Sequence, residues 1–291
     1  MTRPNSPLIR QLLFALTLTL SAVSFAAGNQ RIISADSGST ELLVAFGLQD
    51  QLIAIDVTST QPDTDNPLPS IGYHRNLSAE GIMSMNPDIL IGSNHMGPDH
   101  VIKQLKQSPV KLIQLPVAHT TEQLNQNIHT LAQQLGQPHL GNSLIEENKK
   151  TLQQLQAQSL QQENAVFLLS MDSKLRMAGR KTGGGALIAL TGAQNLADYD
   201  NYRSISVEAL VAMQPSIILV STRDPQDGIR KFLDSNPLLK HTPAGQHGKI
   251  YAVDGRTIVS GGLSVSALAE AKRLSDKAQA SASLADAKHQ E

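Results

Sequence analysis

The chain contains no cysteine and no tryptophan among its 291 residues, and only four tyrosines and five phenylalanines. Without cysteine there is no disulfide framework, no thiolate metal site, no cysteine nucleophile and no thiol to accept a lipid after a leader segment. Charge of either sign is also scarce. Charged residues make up 17% of the chain and the formal net charge is −1, which excludes a surface built to attract nucleic acid or anionic lipid. Catalytic signatures are missing too. No GxSxG elbow occurs, and the acidic residues form no obvious catalytic pair. The glycine-rich stretch AGRKTGGG at 178–185 fails as a phosphate loop because Lys174 stands where the first glycine belongs. The chain reads as a non-enzyme.

What is present is a globular composition, 40% hydrophobic, behind an export-type leader. Arg3 and Arg10 precede the apolar run LLFALTLTL from Leu12 to Leu20, and small residues end at Ser24-Phe25-Ala26, the pattern of a cleavable secretory signal over residues 1–26. The run is well short of the ~20 residues that span a bilayer. Cleavage leaves 22 Lys and Arg against 25 Asp and Glu, a net charge of −3. Exported, unanchored and free of disulfides, the chain is expected to be a soluble, monomeric periplasmic protein.

An internal repeat sets the architecture. Ser78–Ser93, SAEGIMSMNPDILIGS, aligns without a gap on Ser206–Ser221, SVEALVAMQPSIILVS, sharing Ser, Glu, Met, Pro, Ile and Ser at matching places. Each copy predicts a short helix with a capping serine and a glutamate in its first turn, a proline that stops it, and a buried parallel strand. KLIQLP (111–116) pairs in the same way with KIYAVDG (249–255), and TELLVAFGLQDQLIA (40–54) with GALIALTGAQNLA (185–197), each of the latter a helix closed at a glycine. Alternating strands and helices imply right-handed βαβ units, hence an α/β fold of two pseudo-repeated lobes with central parallel sheets and a ligand cleft between them. Residues 27–139 form the expected N-terminal lobe, 140–164 a single linking helix, 165–272 the C-terminal lobe, and 273–291, rich in Ala and Ser, a flexible tail.

In such lobes ligands sit outside the carboxyl ends of the strands. Tyr73 and Arg75 fall just before the repeat unit in lobe one, Tyr202 and Arg203 just before it in lobe two, so a Tyr and an Arg are expected on each side of one cleft. A phenolate is a hard oxygen donor suited to ferric iron. A free tyrosine ionises near ~10, but a close guanidinium or the metal itself favours the ionised form, and tyrosinate is an established haem ligand. Arginine also forks onto carboxylates such as a haem propionate. A loop Tyr beside Arg is more often an ordinary packing or surface hydrogen-bonding element than an iron ligand, and the residues alone leave both readings open.

From Arg31 to about Lys272 the sequence resembles the periplasmic haem-binding proteins that feed bacterial haem ABC importers (the HmuT type), in the helical-backbone class that also holds cobalamin and iron-siderophore binders. The resemblance is carried by RIISADSGSTELLVAFGLQDQLIAID, IGYHRNLSAEGIMSMNPDILIGS, MAGRKTGGGALIALTGAQN and YRSISVEALVAMQPSIILV. It implies haem b as the transported ligand, Tyr73 as the axial iron ligand, and Arg75 assisting it or holding a propionate. Some members place a histidine after the first strand of lobe two that ligates a second haem. Here Met171 stands at that place, better suited to an apolar wall against the porphyrin, so the two-haem stoichiometry of those relatives does not carry over directly. Arg180 is a further candidate for a propionate and Tyr202 a candidate second ligand. Glu80 and Glu208 match the one glutamate per lobe that docks onto arginines of an inner-membrane ABC permease dimer, itself driven by an ATPase. They also suit helix N-termini in their own right.

Other cargo gives weaker matches. His74, His95, His100 and His119 all fall in lobe one, but no HxH or HExxH pair marks a zinc or manganese site. A sensor of the same fold that meets no transporter is the remaining non-enzymatic alternative.

Overall fold

A computed structural model describes residues 30–288 except 64, 172–173, 223–224, 256–257 and 259–261, so the expected signal segment lies outside the described residues. Lobe one runs β1 (Ile32–Ser34), α1 (Ser37–Ala45), β2 (Leu52–Ile55), α2 (Ala79–Ser84), β3 (Ile89–Ser93), α3 (Asp99–Lys106), β4 (Lys111–Leu115) and α4 (Thr121–Gln134). Helix α5 (Pro138–Ala157) crosses to lobe two, which holds β5 (Asn164–Met171), β6 (Lys174–Met177), α6 (Gly183–Thr191), β7 (Gln194–Asn195), β8 (Arg203–Ile205), α7 (Val207–Met213) and β9 (Ile217–Thr222). Then come α8 (Pro225–Ser235), α9 (Pro243–Gln246), β10 (Ile250–Asp254) and α10 (Val265–Lys288).

The first sheet is parallel throughout, in the order β2-β1-β3-β4. Lobe two repeats that order with β7-β5-β9-β10, also parallel. It then adds β6 and β8 as antiparallel strands, β6 pairing with the later residues of β5 beyond the short β7 pairing. Each sheet is covered on both faces, which is why strands such as ILIGS of β3 are buried at every residue. One apolar cluster reaches from Ile32 and Ile89 through Leu144 and Leu155 of α5 to Phe167, Ile217 and Leu268, while separate clusters fill the far face of each sheet.

The repeat is visible down to backbone detail. Ser78 Oγ accepts the Gly81 N–H and Ser206 Oγ the Ala209 N–H, each starting its helix. The helices end alike, with Asn86 (φ 48°) and Gln214 (φ 49°) in the left-handed region immediately before Pro87 and Pro215. Non-glycine residues rarely adopt this conformation. Here both copies use it, 128 residues apart, to turn the chain from helix into strand. Gly47 and Gly192 likewise close α1 and α6 with φ of 71° and 79°.

Two expectations change. The linking helix is 20 residues, about 30 Å long, and stops at Ala157. The chain beyond it is claimed by lobe two, where the Leu160 N–H bonds Thr191 O and the Asn164 N–H bonds Ser216 Oγ to begin β5. Residues 273–288 are helix and not a flexible tail. Ala267, Ala271, Leu274, Ser275 and Ala278 form one buried stripe of α10, which packs on α5, α6 and α1. Ala and Ser lower the hydrophobicity that a sequence reading weighs, but their small size is what allows close helix contact.

Candidate functional site

The loops at the carboxyl ends of the lobe-one strands are locked together by polar side chains. After β1, Asp36 accepts the Ser39 N–H at 2.7 Å as the cap of α1 and also takes the Ser93 N–H at the end of β3. After β2, the buried Asp56 anchors a longer loop. It accepts Thr58 Oγ1 at 2.7 Å, Ser59 N at 3.0 Å and Ser59 Oγ at 2.8 Å, and pairs with the buried His74 Nδ1 at 2.9 Å. Burial by itself would raise the pKa of Asp56, but the hydrogen bonds from His74, Thr58 and Ser59 outweigh it and hold the carboxyl below its ordinary value. The chain continues inward, with Ser59 Oγ 2.8 Å from Thr40 Oγ1, which donates to Ser34 Oγ at 2.7 Å.

This network sets Tyr73. Gly72 takes φ 80°, a conformation natural to glycine, and its carbonyl accepts the Val57 N–H at 3.0 Å. On the other side His74 O accepts the Gly97 N–H at 3.0 Å, and Gly97 O accepts the Leu77 N–H at 2.8 Å. With its neighbours so held, Tyr73 projects outward and is 47% exposed, its ring tilted against His74 at 4.5 Å between centroids. Arg75 is exposed beside it, its Nη2 3.2 Å from His95 Nδ1. Burial, then the charges of Arg75 and His74, push the pKa of His95 down and keep it neutral.

Lobe two does not mirror this arrangement. The ungapped repeat offset of 128 puts Arg203 in register with Arg75, but Tyr202 with His74 and the exposed Asn201 with Tyr73. Tyr202 accordingly turns inward against the core. Its hydroxyl is enclosed near the Thr182 hydroxyl and the Gly184 N–H at the start of α6, without a well-formed hydrogen bond, and burial raises its ionisation above the usual value. In this structure it is a packing residue and not the facing counterpart of Tyr73. Arg203 lies over the Tyr199 ring, 4.5 Å from its centroid. Arg180 is exposed and held by Asp198 O at 2.9 Å and by Asp200 at 3.3 Å, with Lys181 on the same Asp200 carboxylate at 2.8 Å. Met171 closes β5 opposite Lys174; its side chain lies outside the described residues.

Glu80 and Glu208 are exposed in the first turns of α2 and α7, at matching places in the two lobes. Hydrogen bonds from its own backbone N–H and from Ser206 lower the pKa of Glu208, so it is anionic at neutral pH. Among the described residues no three His, Asp or Glu side chains gather to hold a metal ion, and no helix is long and apolar enough to cross a membrane.

Two parallel lobes in pseudo-repeat, one connecting helix and loop residues gathered at the strands' carboxyl ends define a substrate-binding protein of the helical-backbone class. The chain belongs to the periplasmic binding protein family, whose sequence pattern matches residues 32–257. It is similar to a vitamin B12-binding protein of Vibrio campbellii, 27% identical over 219 residues that cover 74% of this chain and 79% of that one. It is similar in structure to the periplasmic haem-binding protein HutB of Vibrio cholerae, with a TM-score of 0.78 and 37% identity over 85% of this chain and 98% of that one. A periplasmic haem-binding protein from Pseudomonas aeruginosa gives a TM-score of 0.76 and 32% identity over 84% and 91% of the two chains.

Sequence reasoning missed the anchoring role of Asp56, and it weighed His95 only as one of four lobe-one histidines for a metal, not as the partner of Arg75. Asp56 follows a strand directly, as loop anchors do, but nothing local pairs it with a histidine 18 residues later.

Proposed function

We propose that the protein binds ferric haem in the periplasm and hands it to an inner-membrane ABC permease dimer and its ATPase, making and breaking no covalent bond of its cargo. The observation that carries this reading is Tyr73, an exposed phenol on a loop pinned from both sides, with a guanidinium two residues on. A phenolate oxygen is a hard donor for ferric iron, and Arg75 is placed to stabilise the phenolate or to take a propionate. The likeness to two haem-binding proteins at 37% and 32% identity supports the same cargo. Residues 1–26 serve as the export signal, and Glu80 and Glu208 as the contacts with the two permease subunits. The alternative cargo is cobalamin, favoured by the B12-binding relative.

Titrating the purified protein with hemin and, in parallel, with cyanocobalamin tests the reading. A ferric tyrosinate-type absorption spectrum for wild type, lost in Tyr73→Phe while the fold is retained, is the expected result. Cyanocobalamin uptake without hemin uptake overturns it in favour of the alternative.

A further inference from the structure

His95 sits two residues beyond β3 and has no role in the reading so far, yet it accepts the side-chain hydrogen bond of Arg75 at 3.2 Å. The two residues come from different loops, after β2 and after β3. These loops are stitched together one layer below by the Gly97 N–H to His74 O and the Leu77 N–H to Gly97 O. The His95 loop is itself tethered, since the His95 N–H reaches Ser93 Oγ at 3.3 Å and the Asn94 N–H reaches Leu115 O at 2.9 Å. Among the described residues Arg75 has no carboxylate within ion-pair distance, so its remaining donors stay free for a ligand.

The chemistry of the pair constrains its protonation. Guanidinium is a donor only, so His95 Nδ1 must carry a lone pair and its proton must sit on Nε2. A doubly protonated His95 cannot accept from Arg75 and places a second cation against it. The groups that act on His95 are Arg75, His74 and His119, which disfavour its charged form along with burial, and Asp36, which favours it.

Resting on the haem reading above, we infer that His95 is a positioning residue of the ligand site: as a neutral acceptor it holds the Arg75 guanidinium in the pose that meets the bound anion, and its protonation releases Arg75 and loosens the ligand. The site then binds tightly at neutral pH and weakens in acid for a reason separate from the iron–oxygen bond. His95→Gln keeps an acceptor that does not titrate, and His95→Leu removes it.

The experiment measures hemin affinity from pH 7.5 to 5.5 for wild type, His95→Gln, His95→Leu, Arg75→Ala and the Arg75→Ala/His95→Leu double variant, with circular dichroism confirming the fold at each pH. His95→Leu should bind roughly tenfold more weakly than wild type at pH 7.5, and the double variant no more weakly than Arg75→Ala. Between pH 7.5 and 5.5 wild type should lose measurably more affinity than His95→Gln, by less than about tenfold because the depressed pKa leaves the ring only partly protonated at the acid end. If His95→Leu matches wild type, if its loss adds fully to that of Arg75→Ala, or if His95→Gln keeps the whole acid dependence, the inference is overturned while the haem reading stands. A folded wild type that takes up no hemin overturns the haem reading and this role with it.

Discussion

Removing the Asp56 carboxylate should be among the most damaging single changes in lobe one. Asp56 is 1% exposed, as is His74, and the carboxylate gathers hydrogen bonds from His74, Thr58 and Ser59. Asp56→Ala strands the buried imidazole and takes the acceptor from the half-buried Thr58 and Ser59 hydroxyls. Losing the charged acceptor leaves the buried His74 ring unsatisfied and removes the hydroxyl hydrogen bonds with it, about 3–5 kcal/mol in all. At roughly 2–4 °C per kcal/mol for a domain near this size, the melting temperature at pH 7 should fall by roughly 6–20 °C. Adding His74→Leu should restore part of that loss, because the orphaned partner is then gone. The pH dependence has a definite sign. Because the folded-state pKa of Asp56 is depressed, the stability it contributes is fully present above the unfolded-state value near ~3.9 and disappears as pH falls through the lower folded value. The gap between wild type and Asp56→Ala should therefore narrow below about pH 4. Thermal melts followed by circular dichroism give these quantities. A melting temperature for Asp56→Ala within 2 °C of wild type, or a double variant no more stable than the single, would show that the pair does not hold the loop as described.

Two further predictions concern residues outside the Tyr73 loop. Leu274→Ala opens a cavity under α10, where Leu274 is 2% exposed, and should cost about 2–5 kcal/mol in urea unfolding; an unchanged midpoint would mean that the C-terminal helix is dispensable. The Glu80→Ala/Glu208→Ala pair should leave hemin affinity unchanged and cost at most about 1 kcal/mol per site in stability, while removing stimulation of the transporter's ATPase. Full stimulation by that variant would end the docking assignment.

What could be read along the chain is what local chemistry controls. Ser78 and Ser206 cap the next turn of helix, Glu80 and Glu208 sit in those turns, and Gly47 and Gly192 supply the positive φ that ends a helix. Each needs only a few neighbouring residues. The buried runs at Ile89–Ser93 and Ile217–Thr222 are continuous because both faces of a parallel strand are covered. The repeat therefore determined two α/β lobes and the matching places of the two glutamates.

Tertiary structure decided the rest. Tyr202 looked like the partner of Tyr73 because both stand beside an Arg, yet one residue of register gives it the buried place of His74, and only the packing against α6 shows which way it faces. Asp56 meets His74, and Arg75 meets His95, across 18 and 20 residues of chain. No periodicity encodes such contacts, because they depend on where separate strands end in one sheet. The C-terminal helix shows the same limit, since its small residues become core only when α5 and α6 offer a surface close enough to bury them.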